Sequence, residues 1–119
     1  MNLVIKKSAI AGRGVFATHP IKAGELIEIC PVVVLSPRDR ERVARTVLSD
    51  YYFGWNNDQA AIALGYSSLY NHCDAPNATY DKHFEDETIV YHCLRDIPEG
   101  EEITVCYHHG PWFDPSNPS

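Results

Sequence analysis

Short apolar runs separated by turn residues dominate this chain and predict a mainly β domain. Most of these runs are followed within a few residues by Pro, Gly or a cluster of acidic residues, which is typical of strands joined by tight turns. The acidic turn 85–87 lies between two such runs and predicts a hairpin. The spacing is too irregular for an up-and-down barrel. The predicted strands occupy residues 3–5, 14–17, 25–35 (interrupted by Pro31), 60–64, 78–84, 88–95 and 103–107.

One segment, residues 36–48, carries a helical pattern instead. It begins with Ser at the N-cap position, Pro at the first helical position and an acid at the third, all of which favour a helix start. Val43, Val47 and Leu48 then recur at helical spacing, and the arginines between them can face solvent. We therefore expect one short helix.

The bulk composition is that of one soluble domain. The 119 residues leave room for a modest core, and 45% hydrophobic with 22% charged residues excludes a disordered class. No apolar run approaches the ~20 residues needed to cross a bilayer, and no secretory signal follows the first residue. We expect an intracellular protein, cytoplasmic or nuclear, with no membrane partner.

The charge of the chain bears on its partners. Sixteen acidic residues against ten basic ones leave a formal charge of −6. Direct nucleic-acid binding is not expected, because proteins of that class concentrate Lys and Arg. A basic peptide or protein suits this charge through long-range attraction. A mild acidity that serves only solubility explains it equally well.

The four cysteines, Cys30, Cys73, Cys93 and Cys106, show no zinc-ligand spacing. Two of them follow a histidine directly, and adjacent side chains on a strand point to opposite faces, which is poor geometry for one shared ion. We expect free, largely buried thiols in a reducing compartment and no metal site.

Three further segments carry groups that suit a binding or catalytic site. Residues 12–17 contain a Gly-x-Gly that lets the backbone approach a ligand, although a plain tight turn also explains it. Residues 70–77 form a polar loop of the kind that binds ligands, and Asx turns account for it as well. Residues 95–107 lead from an acidic turn into a strand that ends on Tyr107, which alone is typical of a core edge.

Together, and in this order, the three segments resemble the SET-domain family of protein-lysine methyltransferases. The Gly-x-Gly-Val-Phe-Ala run at residues 12–17 is similar to the family's first motif. Asn71-His72-Cys73 followed by Pro76-Asn77 is similar to its Asn-His-Ser…Pro-Asn signature, with Cys in place of Ser. The run that ends at Tyr107 is similar to the Gly-Glu-Glu-Leu-Thr-x-x-Tyr segment. The resemblance is strongest to the minimal stand-alone SET proteins of the type that large algal viruses carry.

This resemblance implies a particular fold. The SET domain would occupy residues 1–112, as a set of small curved sheets with one short helix, and residues 113–119 would form a mobile C-terminal tail. The strand ending at Tyr107 would pass through the loop at residues 71–77. Such a C-terminal pseudo-knot is an exception to normal chain connectivity.

The resemblance also implies an activity, namely transfer of a methyl group from S-adenosyl-L-methionine to a lysine of a basic protein, a histone tail among the candidates. Tyr107 would be the catalytic residue. The substrate-binding residues would be Tyr51, Tyr70 and Val105. The cofactor-binding residues would be Gly12, Arg13, Gly14, Asn71, His72, Tyr107 and Trp112.

Some features depart from the larger family members. No Cys follows Cys106, so the family's zinc-bearing segment after the catalytic Tyr is not expected, and Trp112 is the expected lid residue instead. Val105 stands where many SET enzymes have Tyr or Phe, which favours dimethyl- or trimethyl-lysine as the product. The minimal viral form pairs, which implies a homodimer.

Two other interpretations of the sequence stay open. The first is a catalytically silent SET-like module that keeps the fold and binds a peptide without turnover. The second is an unrelated β domain that only mediates interactions. An enzyme with histone substrates would act in the nucleus, or in the host nucleus if its source is a virus.

Overall fold

The computed structural model describes residues 2–106, and this part of the chain is built mainly from β-strands. The described part has one α-helix and two short 3-10 turns, Val47–Asp50 and Ser67–Leu69, so the predicted mainly β chain with one short α-helix is confirmed. In chain order the elements are β1 (Leu3–Lys7), β2 (Arg13–Ala17), β3 (Leu26–Leu35), α1 (Pro37–Val43), β4 (Phe53–Gly54), β5 (Ala60–Ala63), β6 (Asn71–His72), β7 (Ala78–His83), β8 (Thr88–Cys93) and β9 (Glu102–Val105).

A four-stranded sheet has the order β1-β2-β9-β6. Its first three strands are antiparallel neighbours, with Leu3 opposite Ala17 and Val15 opposite Ile103. The two-residue strand β6 instead runs parallel to β9. A parallel pair cannot be closed by a hairpin, so the chain between β6 and β9 must leave this sheet and return to it. Both β7 and β8 lie on that excursion.

The turn between β1 and β2 explains the first glycine of the Gly-x-Gly. The N–H of Ser8 donates to the carbonyl oxygen of Gly12 at 2.8 Å, which closes the turn. Gly12 has a φ of +46°, a left-handed conformation that glycine adopts without steric cost. A side chain at this position would strain the turn.

A five-stranded sheet has the order β4-β5-β3-β8-β7. The expected interruption of the third strand at Pro31 is wrong, because β3 continues through this residue. The register of β3 with β5 runs from Val32 to Leu35, so Pro31 lies at the end of this pairing. The carbonyl oxygen of Pro31 accepts the N–H of Leu64 at 2.9 Å. Proline at this end position can therefore cost only the last bond of the pairing.

The helix α1 begins as predicted. The side chain of Ser36 accepts a hydrogen bond from the N–H of Asp39 at 3.1 Å, and Pro37 occupies the first turn. None of the seven residues of α1 is buried. No helix within residues 2–106 is long and apolar enough to span a membrane.

The helix ends earlier than predicted. It stops at Val43, and the hydroxyl of Thr46 then accepts the N–H of Leu48 at 3.1 Å to begin a separate 3-10 turn. A side-chain hydroxyl that binds a nearby backbone N–H offers the chain an alternative to the next helical turn. Val47 and Leu48 therefore do not extend a buried helical stripe, and the side chain of Val47 is 77% exposed.

The described chain forms two compact units. The first unit comprises residues 2–29, 69–81 and 90–106, and the second comprises residues 30–68 and 82–89. The largest fully buried side chains of the first unit are Val15, Tyr70, Tyr91, Ile97 and Ile103. In the second unit Phe53, Trp55, Ala60 and Ala61 are buried, and Phe84 packs edge-on against Trp55 with the ring centroids 4.9 Å apart.

Two cations hold the β4–β5 hairpin of the second unit. The ammonium of Lys82 donates to the carbonyl oxygen of Gly54 at 2.8 Å, and the guanidinium of Arg40 donates to that of Gln59 at 3.1 Å. Burial, followed by repulsion from Arg40, lowers the pKa of Lys82 from 10.5 to about 8. Folding therefore changes the proton affinity of this side chain.

We expect Lys82 to make the folded protein more stable at high pH. Between pH 8 and 10.5 the unfolded chain keeps the Lys82 proton and the folded chain releases it, so stability rises with pH. This contribution is complete above the unfolded pKa and is lost as pH falls through about 8. After allowance for solvent screening of a partly exposed group, it amounts to about 1–2 kcal/mol.

Denaturant unfolding at pH 7 and pH 10 measures this effect. Wild type should gain stability relative to Lys82→Met between the two values, because only wild type carries the displaced group. The exposed Lys22→Met variant is the control and should follow wild type. Parallel pH dependence of wild type and Lys82→Met would contradict the expectation.

Candidate functional site

The three polar segments meet at the side chain of Asn71, the first residue of β6. Its amide nitrogen lies 2.8 Å from Oε2 of Glu102 on β9 and 3.1 Å from each of the carbonyl oxygens of Ala11 and Arg13. All three partners are acceptors, so the nitrogen must face them and Oδ1 must point away. One side chain thus connects the Gly-x-Gly turn, the polar loop and the last described strand.

The carboxylate of Glu102 completes this junction. Its Oε1 accepts a hydrogen bond from the hydroxyl of Ser8 at 2.7 Å, and its Oε2 accepts the one from Asn71. Gly14 lies directly against both groups, since a Cβ there would overlap the carboxylate and lie 3.0 Å from the Asn71 nitrogen. Gly14 is therefore needed for close approach, whereas Gly12 is needed for the conformation of the turn.

Asn77, at the other end of the polar loop, also binds β9. The side chain is 2% exposed. Its amide nitrogen donates to the backbone oxygen of Glu102 and to the Glu101 carboxylate, both at 2.8 Å, and its Oδ1 accepts the N–H of Thr104 at 2.8 Å. Both ends of the loop are bonded to β9, as the predicted pseudo-knot requires. The chain that would complete the threading lies outside the described residues.

Two members of this cluster, Ser8 and Glu102, were not identified from the sequence. Ser8 precedes the Gly-x-Gly and has no local feature that marks it. Glu102 belongs to the acidic turn of the third segment, so the available signal was its position two residues after Gly100 in a Gly-Glu-Glu run. Their roles depend on contacts between segments that are 94 residues apart in the chain.

The strand β6 forms one edge of its sheet in the described chain. The N–H of Cys73 donates to the carbonyl oxygen of Val105 at 3.0 Å, so Asn71 and Cys73 are the residues whose backbone groups bond to β9. The backbone groups of His72 alternate with these and point to the side of β6 away from β9. Its ring Nε2 lies 2.8 Å from the exposed carboxylate of Asp74. This edge therefore presents polar groups.

Two predicted substrate residues lie in the core of the first unit. Tyr70 has 0% exposure, its hydroxyl donates to the carboxylate of Glu28 at 2.6 Å, and its ring centroid is 4.5 Å from that of Tyr91. Val105, 2% exposed, pairs with His72 across β6 and β9. Tyr70 directly precedes Asn71 in the chain, and Val105 lies on the same strand as Glu102. In this conformation both side chains are covered by protein.

Four further predicted site residues, Tyr51, Arg13, Tyr107 and Trp112, differ in where they lie. Tyr51 belongs to the second unit, where its ring is 41% exposed and its carbonyl oxygen accepts the hydroxyl of Ser68 at 3.1 Å. The side chain of Arg13 is exposed, and its carbonyl oxygen takes part in the junction. Tyr107 and Trp112 lie outside the described residues, as does the predicted tail 113–119.

The cysteines depart in part from expectation. All four are free, but only Cys30 and Cys93 are buried, whereas Cys73 and Cys106 are partly exposed. Both exposed thiols lie at the ends of short strands, where fewer neighbours cover a side chain. Within residues 2–106 no group of three or more His, Cys, Asp or Glu side chains is placed to hold a metal ion.

Comparison with protein families gives one match over most of the chain. Residues 12–108 match the family model described as SET domain. This interval contains all three polar segments and, of the Asn71 junction, Arg13, Asn71 and Glu102. It also contains Tyr107 but not Trp112.

Curated relatives resemble the chain over nearly its whole length. A histone-lysine N-methyltransferase of Schizosaccharomyces pombe, named as H3 lysine-37 specific, is 37% identical over 113 residues, which are 94% of this chain and 77% of that protein. A histone-lysine N-methyltransferase of Cryptococcus neoformans, named as H3 lysine-4 specific, is 31% identical over 92% of this chain. The chain spans only 8% of that second, much longer relative.

Solved structures support the fold. A Plasmodium falciparum structure assigned as a histone methyltransferase superposes with a TM-score of 0.73 at 32% identity, and the match covers 94% of this chain and 97% of the other. A chain of an apo PRC2 structure with a mutated Ezh2 superposes with a TM-score of 0.77 over 92% of this chain and 15% of its own length. At 23% identity, this second likeness supports the fold alone.

Proposed function

Because this chain belongs to the SET-domain family and is an enzyme of its lysine-methyltransferase class, we propose that it transfers a methyl group from S-adenosylmethionine to a lysine of a basic protein, with a histone tail as the first candidate. The Asn71 junction is the observation that supports this most directly. It unites three motifs that are each unremarkable alone, and it does so through one amide group.

The described residues fit such a cofactor at the edge of β6. S-adenosylmethionine carries an ammonium, a carboxylate and a purine, which all need hydrogen-bonding partners. The Asn71 nitrogen is engaged by protein acceptors, so Oδ1 of Asn71 is the group suited to this task. Gly12 keeps the space beside the turn open. We assign cofactor binding to Gly12, Arg13, Gly14, Asn71, His72, Tyr107 and Trp112.

The chemistry requires a neutral lysine nitrogen. When bound, S-adenosylmethionine supplies a methyl group on a positively charged sulfur. Near pH 7 the deprotonation of a lysine of ordinary pKa costs about 4–5 kcal/mol. Aromatic surroundings that exclude water lower that pKa. By the family resemblance, Tyr51 and Tyr70 are the proposed aromatic residues, although in this conformation the Tyr70 side chain is covered by protein and its hydroxyl donates to Glu28.

Tyr107 is the proposed catalytic residue. Its phenolic oxygen would accept a hydrogen bond from the lysine nitrogen and hold that nitrogen in line with the methyl group. Such alignment lowers the activation free energy by several kcal/mol through proximity alone. Cys106 and the strand β9 precede it in the chain, and β9 is held by hydrogen bonds to Asn71 and Asn77.

The charge of the chain supports a basic substrate. A formal charge of −6 attracts a histone tail or another lysine-rich segment over long range. The matched relatives named as histone enzymes point to the same class. We propose that the protein acts in the nucleus, which is the host nucleus if the source is a virus.

Thermal unfolding with and without S-adenosylmethionine tests cofactor binding. A ligand at 100 times its Kd should stabilise the folded state by about 2.7 kcal/mol. A methyl-transfer assay on core histones then separates an enzyme from a catalytically silent peptide-binding module. Stabilisation by the cofactor without transfer to any basic protein would favour the silent module. Absence of both would refute the proposed function.

Val105 is proposed to permit more than one methyl transfer. Valine has no hydroxyl to hold the orientation that favours a single methyl, and one methyl changes pocket fit by only about 1–3 kcal/mol. We therefore expect dimethyl- or trimethyl-lysine to accumulate, and Val105→Tyr to shift the product towards monomethyl-lysine. Time-resolved mass spectrometry measures this ratio, with Ile103→Val as a control. Wild type that yields only monomethyl-lysine would contradict the expectation.

We also propose that the protein forms a homodimer, as the minimal viral form that it resembles does. Sedimentation at micromolar concentration should give twice the chain mass of 13.4 kDa. A single 13.4 kDa species over that range would contradict the proposal.

A further inference from the structure

The register of the β6–β9 ladder, extended by one residue, brings two partly exposed cysteines opposite each other at its end. The last register pair joins His72 to Val105, and the N–H of Cys73 still donates to the Val105 carbonyl oxygen at 3.0 Å. The next residue on each strand is a cysteine, Cys73 on one and Cys106 on the other. Neighbouring strands are about 4.8 Å apart, which lies within the Cα separations of about 4.4–6.8 Å that disulfides span.

The other two thiols of the chain are shielded. Cys30 is 0% and Cys93 is 3% exposed. Burial, with a smaller effect of Glu25, raises the pKa of Cys93 to about 11, so its reactive thiolate is scarce at neutral pH. Water-borne reagents therefore meet Cys73 and Cys106 first.

We propose that Cys73 and Cys106 are a redox-responsive thiol pair, which a low-molecular-weight disulfide such as oxidised glutathione converts into an intrachain disulfide. In the first step the thiolate of one cysteine attacks the glutathione disulfide, forms a mixed disulfide and releases one glutathione thiolate. The second cysteine then attacks the protein sulfur of that mixed disulfide and releases the second glutathione. Two electrons pass from the protein to the oxidant, and the two thiol protons end on glutathione or solvent.

The crosslink would act on the proposed catalytic site, and this part of the inference rests on the proposed function. Disulfide bonding brings Cβ atoms to about 3.8 Å, closer than the spacing of a parallel ladder, so the two strand ends must move together by about an ångström. Cys73 follows His72, and Cys106 directly precedes Tyr107. A displacement of this size at a catalytic group can lower turnover on the order of a hundredfold.

The thiol chemistry is tested on the full chain with wild type, Cys73→Ser and Cys106→Ser. Each protein is reduced and then held in glutathione buffers of increasing oxidised fraction, and intact mass and peptide mapping follow. Wild type should lose the mass of two hydrogens and yield one linked Cys73–Cys106 peptide without a lasting glutathione adduct. Each single variant should retain one glutathione on its remaining partner. Three results would overturn the proposed Cys73–Cys106 disulfide. They are a stable glutathione adduct on wild type, a disulfide to Cys30 or Cys93, and a disulfide between two chains.

Methyl transfer measured on the same samples tests the functional consequence. Oxidised wild type should lose turnover on the order of a hundredfold and regain it after treatment with dithiothreitol. The turnover of the double variant Cys73→Ser/Cys106→Ser should not depend on the glutathione ratio. Full turnover in the crosslinked protein would overturn the link to the site. Absence of turnover in the reduced protein would refute the proposed function, whereas the mass result decides the thiol pair independently.

Discussion

Tyr107→Phe is expected to lower methyl transfer on the order of a hundredfold to a thousandfold while leaving cofactor affinity within a few-fold, since it removes only the hydroxyl that we propose to act on the reacting groups. The aromatic ring stays in place, so the surroundings of the cofactor keep their shape. Single-turnover methyl transfer measures the first quantity and calorimetry with S-adenosylmethionine the second. A loss of turnover with unchanged cofactor affinity distinguishes a catalytic hydroxyl from one that only supports folding.

Tyr52→Phe is the matched control, because it removes a phenolic hydroxyl from a partly buried tyrosine in the second unit. Its turnover should equal that of wild type. If Tyr107→Phe kept wild-type turnover, Tyr107 would be a structural residue, and the proposed mechanism would lose its central group.

Asn71→Ala is expected to cost about 2–3 kcal/mol of unfolding free energy, because it removes a donor shared by one carboxylate and two carbonyl oxygens. The variant should also weaken S-adenosylmethionine binding, since the Gly-x-Gly turn loses its attachment to β6. Denaturant unfolding and calorimetry measure the two effects. Asn2→Ala, at an exposed position, should change neither by more than about 0.5 kcal/mol.

A double-mutant cycle of Asn71→Ala and Glu102→Ala locates the effect within the junction. The two residues share a 2.8 Å hydrogen bond, so their combined loss should be smaller than the sum of the single losses by about 0.5–3 kcal/mol. Strict additivity would mean that the two side chains act independently. Unchanged cofactor affinity in Asn71→Ala would remove Asn71 from the binding site.

Local chemistry made much of the fold predictable. The start of α1 follows from a Ser-Pro pair whose capping bond forms as expected. The β7–β8 hairpin follows from two apolar runs around an acidic turn, and the turn residue Glu87 adopts a left-handed φ of +53°. Such features depend on residues within a few positions of each other, so the sequence alone specifies them.

Features that depend on distant partners were not predictable from local pattern. β6 has only two residues, and it exists as a strand because β9 provides a parallel partner more than 30 residues later. The run through Pro31 looked interrupted, yet the strand is continuous, and the carbonyl oxygen of Pro31 accepts the N–H of the distant Leu64. The burial of Tyr70 likewise depends on Glu28, 42 positions away.

In the candidate site, too, residues in short local motifs were predictable, whereas residues that depend on distant partners were not. The family resemblance identified Gly12, Gly14, Asn71 and His72 from short motifs. Glu102 and Ser8 escaped notice because a carboxylate and a hydroxyl acquire their role only when β9 and the β1–β2 turn come together. The Gly-x-Gly was identified because it lets the backbone approach a ligand, whereas the structure shows Gly14 in close contact with Glu102 and Asn71 of the protein itself.

Mass spectrometry of core histones incubated with the purified protein and S-adenosylmethionine tests the central claim most directly. We expect histone lysines to gain the mass of one or more methyl groups, and only when both enzyme and cofactor are present. The rate of this methylation should fall at least on the order of a hundredfold with Tyr107→Phe. Tyr52→Phe should match wild type in the same reaction. No methylated lysine on any histone or other basic protein, from a folded protein that binds the cofactor, would contradict the account.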